Sequence, residues 1–181
     1  MIKIGIVGIT GIHPLDNKRL SLEHFNFVIN TFEEYINKNN IIKSDIILVS
    51  NGMTWINHII VHLYLLGGYG GIELYIPTTF DFKFKHYENT HEGRTLNRLH
   101  NEFKEKTNID GLEDLSRIFR SQSDKKIKQN VKRGYKQCNT LMITNCDHVL
   151  MFSYDDFNNI ASDLNHTWNK IKCIKEYVKI N

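Results

Sequence analysis

Within the first 76 residues, three short apolar runs alternate with two stretches of helical length, and this alternation constrains the fold more than any other feature. The runs are 2–7 (IKIGIV), 45–50 (DIILVS) and 72–76 (IELYI). Their shortness, β-branching and flanking glycines or proline mark them as buried strands. Between the first two, Ser21 to Asn37 sets Leu22, Phe25, Val28, Ile29, Phe32, Tyr35 and Ile36 at helical spacing. Ser21 is the expected N-cap, with Asp16 or Asn17 as earlier starts. Thr54 to Leu66 is a second, mostly apolar helix closed by Gly67-Gly68. Strand, helix, strand, helix, strand is the order of a parallel sheet with crossover helices, and unbroken apolar strands fit a sheet covered on both faces.

The alternation stops at residue 77 and resumes late. Residues 78–136 are polar and charged, with weaker helical stretches near 94–106 and 112–121. From Arg117 to Lys136 there are eight basic residues and one acid, Asp124. Asn139 to Asn145 then reads as a short helix, His148 to Phe152 as a fourth strand, and Leu164 to Val178 as a closing helix. Asp163 would cap that last helix, and Lys170, Lys172, Lys175 and Lys179 would favour its carboxyl end. The chain is read as one domain over 1–181, with 78–136 as a polar, partly helical insertion too poor in apolar residues for its own core.

Composition sets limits on function. The 181 residues are 41% hydrophobic and 24% charged, with a formal net charge of +3. That is globular composition. The longest apolar run, Ile59 to Leu66, is interrupted by His62 and falls far short of the roughly 18 residues that span a bilayer. The opening MIKIGIVGITG lacks the layout of a signal peptide. Cys138, Cys146 and Cys173 are too few and too irregular for a disulfide scaffold or zinc knuckle, so a reducing, cytoplasmic setting is expected. The chain has 24 Ile, 20 Asn and 17 Lys against one Ala. These are residues of A/T-rich codons, the bias of some parasites, low-GC bacteria and large DNA viruses. For a viral chain the expected setting is the host cytoplasm.

An open parallel sheet binds its ligand beyond the carboxyl ends of its strands, where strand order reverses. The segments expected there are Gly8 to Pro14, Ser50 to Thr54, Pro77 to Phe80 and Ser153 to Ser162. Gly5-Ile-Val-Gly8-Ile-Thr-Gly11 is a glycine turn that lets backbone N–H groups approach a phosphate. It is not the dinucleotide G-x-G-x-x-G, and no acid stands where a ribose-binding one should. Ser50-Asn51-Gly52-Met53-Thr54 joins a strand to a helix, so Ser50 and Thr54 serve either as caps or as phosphate contacts. His58 and His62 have the i, i+4 spacing of a zinc pair, but Ile59 occupies the place of the glutamate. They are read as structural histidines, and no metal is assigned. The basic stretch 117–136 is read as a solvated helix face rather than a nucleic-acid interface. Arg94, Arg98 and Arg133 are the cations that an insertion lying over a phosphate would supply. Cys146, beside Asp147 and His148, sits at a strand entry, opposite the ligand end.

Taken together, GIVGITG, the turn Ser50-Asn-Gly-Met-Thr-Trp-Ile-Asn57 and the pair Asn139 with Asp147-His-Val-Leu-Met-Phe152 resemble the SLOG superfamily. These are Rossmann-like relatives of the lysine-decarboxylase-like LOG and DprA proteins. Its turn reads S-G-G-A-x-G-x-D. Ser50 and Gly52 match, while Asn51, Trp55 and Asn57 depart. Residues 89–103 (NTHEGRTLNRLHNEF) resemble one SLOG-like group with G-R-T-L-N-x-x-H-x-x-F, which continues with G-F-x-x-R-N and G-G-T-x-x-T-W. Here Gly134-Tyr135, Asn139 and Ser162-Asp-Leu-Asn-His166-Thr167-Trp168 stand in those places. The resemblance implies a single α/β domain, a Rossmann-like three-layer sandwich with a mostly parallel central sheet of four to five strands. It implies a nucleotide or nucleotide-derived ligand, contacted by Gly8, Thr10, Gly11, Ser50, Gly52, Asn97, His100, Asn139 and Thr167. To these the local reading adds Thr54 and Arg94. Glycosidase members use a glutamate in P-G-G-x-G-T-x-x-E, which this chain lacks.

Three functions follow as expectations. The first is binding of a nucleotide or ribose-phosphate ligand as sensor, carrier or degenerate enzyme, without a cofactor. The second is an N-glycosidase or phosphoribohydrolase acting on nucleoside monophosphates, with Asp163 or Asp155 in the glutamate's role. The third is a protein- or nucleic-acid-interaction module using the basic insertion. No membrane partner is expected, and a helix left uncovered on one face would serve a homodimer.

Overall fold

The computed structural model describes residues 1–121, 127–155, 168–169 and 171–180. Six strands form one all-parallel sheet: β1 (Ile2–Gly8), β2 (Ile46–Ser50), β3 (Gly71–Ile76), β6 (Ile127–Val131), β7 (His148–Ser153) and β8 (Ile174–Lys179). Their order is β6-β3-β2-β1-β7-β8. A separate antiparallel hairpin, β4 (Phe80–Asp81) with β5 (His86–Tyr87), follows β3. The helices are α1 (Pro14–Arg19), α2 (Leu22–Lys38), α3 (Ile59–Leu66), α4 (His91–Thr107), α5 (Gly111–Arg120) and α6 (Tyr135–Thr144).

Strand periodicity sorts the core into two layers, because successive side chains point to opposite faces. Ile4 and Ile6 of β1 join Leu48, Ile72, Leu74 and Leu150 in one cluster, together with apolar residues of α2, α3, α4 and α5. Val7, Val49, Tyr75, Val149 and Met151 face the other way, against Cys138, Met142 and Ile143 of α6 and against Trp168 and Ile171. The result is a three-layer α/β sandwich of Rossmann-like type. Ser21 caps α2, its hydroxyl accepting from the His24 amide. Asp16 and Asn17 belong instead to α1, whose C-cap Leu20 is extended and ends it before α2 begins.

The sheet has six strands, not four to five, and both additions are edge strands. β6 lies inside the basic stretch read as a solvated helix face, pairing with β3 from Ile72↔Ile127 to Ile76↔Val131. β8 replaces the second half of the closing helix expected over Leu164 to Val178, pairing with β7 from His148↔Ile174 to Ser153↔Lys179. Of the rest of that expectation, 164–167 and 170 lie outside the described residues, 168–169 are helical and 171–173 are not. In β8, Tyr177 packs on the α6 side and Val178 on the other, a two-residue period that overrides the lysine pattern. Lysine at an edge strand is ordinary, since it blunts pairing with another chain. Lys175 Nζ donates to the Trp168 carbonyl at 2.8 Å.

Candidate functional site

Chain direction locates the site. From β1 the chain steps outward through β2 and β3 to β6, and α6 on the opposite face then carries it back to β7, on the other side of β1. The reversal therefore falls between β1 and β7, and the crevice beyond their carboxyl ends is where an open α/β sheet takes a ligand. Gly8 closes β1 there. A Cβ at this position would fall 2.5 Å from the Phe152 carbonyl oxygen and 2.7 Å from Ile56 Cγ2, so only glycine lets the two strand ends and the 50–58 turn meet.

The 50–58 turn is held from within and from both sides. Ser50 Oγ donates to the Asn57 carbonyl at 2.8 Å and accepts from the Gly52 amide at 3.2 Å. Thr54 Oγ1 donates to the Thr10 carbonyl at 2.6 Å. Gly52 has φ +70°, and its carbonyl accepts from Tyr87 Oη at 2.8 Å and lies 3.1 Å from His100 Nε2. Trp55 is left-handed as well (φ +54°), with its buried ring edge-on to Phe103.

At the reversal point lies a hollow of about 110 Å³ lined by Val7, Gly8, Thr10, Ile12, Met53, Asn57, Tyr135 and Asn139. Its chemistry is set by two carboxamides whose orientations follow from their neighbours. The Gly8 amide can only donate, so the end of Asn57 that it meets at 3.0 Å is Oδ1. The Met53 amide likewise fixes Asn51 Oδ1, at 3.0 Å. Asn51 Nδ2 then donates to Asn139 Oδ1 at 2.6 Å. Both Asn57 and Asn139 are therefore left with Nδ2 as the end not spent on these bonds, and both line the hollow. Asn57 is only 3% exposed. Tyr135 opens α6 behind Gly134, which has no side chain to cap the helix, so the first-turn N–H groups are left uncapped there. Tyr135 Oη donates to the Glu92 carbonyl at 2.9 Å, and burial pushes its pKa up to about 12. The described residues lining the hollow carry no carboxylate and no cationic side chain.

The expected contacts separate into three groups. Gly8, Thr10 and Asn139 line the hollow. Ser50, Gly52 and Thr54 lie behind it and shape the turn, while Gly11 (φ +75°) packs against Trp55 and Asn17. Asn97 and His100 face their own chain. Asn97 accepts from the Tyr87 amide and donates to its carbonyl, at 2.9 and 3.0 Å. Arg94 is exposed, with Nη1 donating to Asn89 Oδ1 at 3.0 Å. Asp155 is exposed just beyond β7, its carbonyl accepting from Tyr177 Oη. Asp163 and Thr167 lie outside the described residues. The residues not anticipated are Asn57, Asn51 and Tyr135. The two asparagines stood inside the quoted turn as departures from the superfamily pattern, and the departure at position 57 supplies the acceptor for the Gly8 amide.

The histidines of α3 and the turn before it have structural partners. His58 is fully buried with Nε2 3.2 Å from Asp114 Oδ2, and His62 packs edge-on to Phe25. Among the described residues no three His, Cys, Asp or Glu side chains come together as a metal-ligand set, and no helix is long and apolar enough to cross a membrane. Among larger cavities, two of about 790 and 640 Å³ lie at the amino ends of the strands, away from the reversal point, and a third of about 560 Å³ lies at the start of α6, lined by Arg133, Gly134, Lys136, Gln137, Thr140 and Leu141.

No family model matches this sequence. The chain is similar to "Uncharacterized protein R261" of Acanthamoeba polyphaga mimivirus, at 36% identity over 173 residues, covering 94% of this chain and 91% of that protein.

Proposed function

The chain belongs to the family of that mimivirus protein, and we propose that it binds a nucleotide or nucleotide-derived ribose phosphate in the hollow between β1 and β7, as a sensor or carrier. One observation carries the reading: two carboxamides at the strand-order reversal, each oriented by its neighbours so that an NH₂ donor remains for a ligand. A site built from donors selects a ligand rich in acceptors, as a phosphoryl group is. The uncapped start of α6 adds partial positive charge at the same place. The volume of about 110 Å³ suits one such group, with the remainder of the ligand lying over the exposed Ile12 at the rim.

The SLOG resemblance supports the same ligand class and the same end of the sheet. A cytoplasmic setting accords with three free cysteines. Binding is preferred over glycosidase action because the hollow's described lining offers no carboxylate to stabilise a ribosyl cation.

The test is a thermal-shift series with nucleoside monophosphates, ADP-ribose, ribose 5-phosphate, unphosphorylated nucleosides and inorganic phosphate. A phosphorylated ligand at a hundredfold its Kd adds about 2.7 kcal/mol, a rise of several degrees in Tm. Equal response to nucleosides with and without phosphate, or no response to any compound, overturns the reading. Free base released from a monophosphate, seen by chromatography and lost in Asp155→Asn or Asp163→Asn, would install the glycosidase in its place.

A further inference from the structure

The amino end of the sheet carries a second chemistry. Cys146 lies between α6 and β7, and Cys173 immediately precedes β8. The two segments run side by side, because the Ile174 amide donates to the Asp147 carbonyl at 2.9 Å. The first ladder pair is His148↔Ile174. One step earlier Asp147 stands beside Cys173, so Cys146 is its diagonal neighbour. Cys146 is still in the turn that ends α6, its amide donating to the Ile143 carbonyl at 3.3 Å, so the turn and not strand alternation sets the face of its side chain.

Both side chains are on one face. Cys146 belongs to the cluster formed by Val149, Met151 and α6, and Cys173 packs against the same cluster. Both line the cavity of about 790 Å³. Cys146 Sγ lies over Gly5, where an added Cβ would fall 2.8 Å from the sulfur. Cys138 shares the cluster but not the cavity lining, and its Sγ is turned toward the Lys132 carbonyl at 3.6 Å.

We infer that Cys146 and Cys173 are a dithiol site that closes to an intramolecular disulfide, stapling the entry of β7 to the entry of β8. A disulfide such as oxidised glutathione is the oxidant. The half-buried Cys173 thiolate attacks it, forming a mixed disulfide and releasing one glutathione thiolate. Cys146 gives up its hydrogen bond to the Met142 carbonyl, loses its proton to solvent and attacks Cys173 Sγ. The second glutathione leaves. Two protein thiols are oxidised and one glutathione disulfide is reduced to two thiols. Burial holds both protein thiols above their ordinary range, which makes exchange slow and an equilibrium measurement the proper readout.

The full chain is equilibrated in reduced and oxidised glutathione mixtures, folded and in urea, then acid-quenched, alkylated, digested and mapped by mass spectrometry. The expected product in the folded chain is one linkage, Cys146–Cys173, with an effective concentration about a hundredfold above that in urea. Cys138→Ser leaves it unchanged, and Cys173→Ser abolishes it. Equal effective concentrations in folded and unfolded chain, a linkage through Cys138, or mixed glutathione disulfides alone would each overturn the inference.

Discussion

The carboxamides of Asn51 and Asn139, 88 positions apart in the chain, meet at 2.6 Å and tie the turn after β2 to the second turn of α6. Because Asn51 donates, Asn139 Oδ1 is occupied and its NH₂ remains. Asn139→Asp keeps an acceptor for Asn51 and replaces the remaining NH₂ by a carboxylate oxygen. The expected result is Tm close to that of the parent chain and phosphorylated-ligand affinity lower by at least about tenfold, or 1.4 kcal/mol. Asn139→Ala instead strands the NH₂ of Asn51, a residue only 1% exposed, at a stability cost of about 1–3 kcal/mol. Thermal shift and ligand titration on the two variants distinguish the roles, and an Asp variant that binds like the parent rejects the donor reading of the hollow.

Gly8 and Gly134 are both glycines for backbone reasons, but of different kinds. A Cβ on Gly8 collides with a backbone carbonyl and with a buried Ile56 methyl, neither of which is the free end of a flexible chain. Gly8→Ala is expected to cost about 1–3 kcal/mol, or several degrees in Tm. At Gly134 nothing lies within 4 Å of an added Cβ, but φ is +78°. With ψ 149° as well, Gly134 sits in a region essentially confined to glycine, so Gly134→Ala carries a backbone penalty alone, of about 1–3 kcal/mol. On the proposed function, affinity for the phosphorylated ligand is retained where α6 keeps its start. Equal and negligible effects at the two sites would contradict the packing described at the strand ends.

The central strands were legible because apolar residues dominate each, as a strand buried on both faces requires, and the charged exceptions Lys3 of β1 and Glu73 of β3 pair with each other at 2.7 Å. β6 and β8 are edge strands, and Lys128, Gln129, Lys175 and Glu176 are compatible with an edge while concealing it from an apolarity pattern. The place of the candidate hollow followed from the strand order expected of such a sheet. Its lining did not, because the orientation of Asn57 depends on an amide 49 residues away and that of Asn139 on one relayed through Asn51. His100 and Asn97 read as ligand contacts for a related reason. The Asn97 carboxamide is spent on Tyr87 and His100 Nε2 faces the Gly52 carbonyl, partners that only the folded α4 and the β4–β5 hairpin bring near.

Tyr87 is 1% exposed and donates its only hydroxyl proton to the Gly52 carbonyl. Tyr87→Phe keeps the ring and its edge-on contact with Phe80 but leaves that carbonyl to His100 alone. A loss of about 1 kcal/mol is expected, seen as a Tm lower by about 2–4 °C. Because Gly52 belongs to the turn that positions Asn57, ligand affinity falls as well. Urea unfolding and titration with the best ligand test this, and unchanged stability would show that the Tyr87 hydroxyl does not hold the turn.

His100 makes folding depend on pH. Its ring is fully buried, its Nε2 faces the Gly52 carbonyl, and its Nδ1 has no partner and lies against Gly111, where a Cβ would fall 2.4 Å away. Burial, reinforced by neighbouring His58, lowers its pKa from 6.5 to about 3. His62 and His148 are lowered in the same direction, again by burial. For a group whose folded pKa is depressed, the unfolded chain binds the proton first. Stability is therefore complete above about pH 6.5 and is lost as pH falls toward 3. Between pH 7 and pH 5 one such group accounts for about 2 kcal/mol. His100→Gln retains a donor for Gly52 and has nothing to titrate, so its unfolding free energy should fall by about 2 kcal/mol less over that interval. Urea melts of both chains at several pH values measure the difference, and parallel slopes would mean that His100 takes up its proton as readily in the folded chain as in the unfolded one.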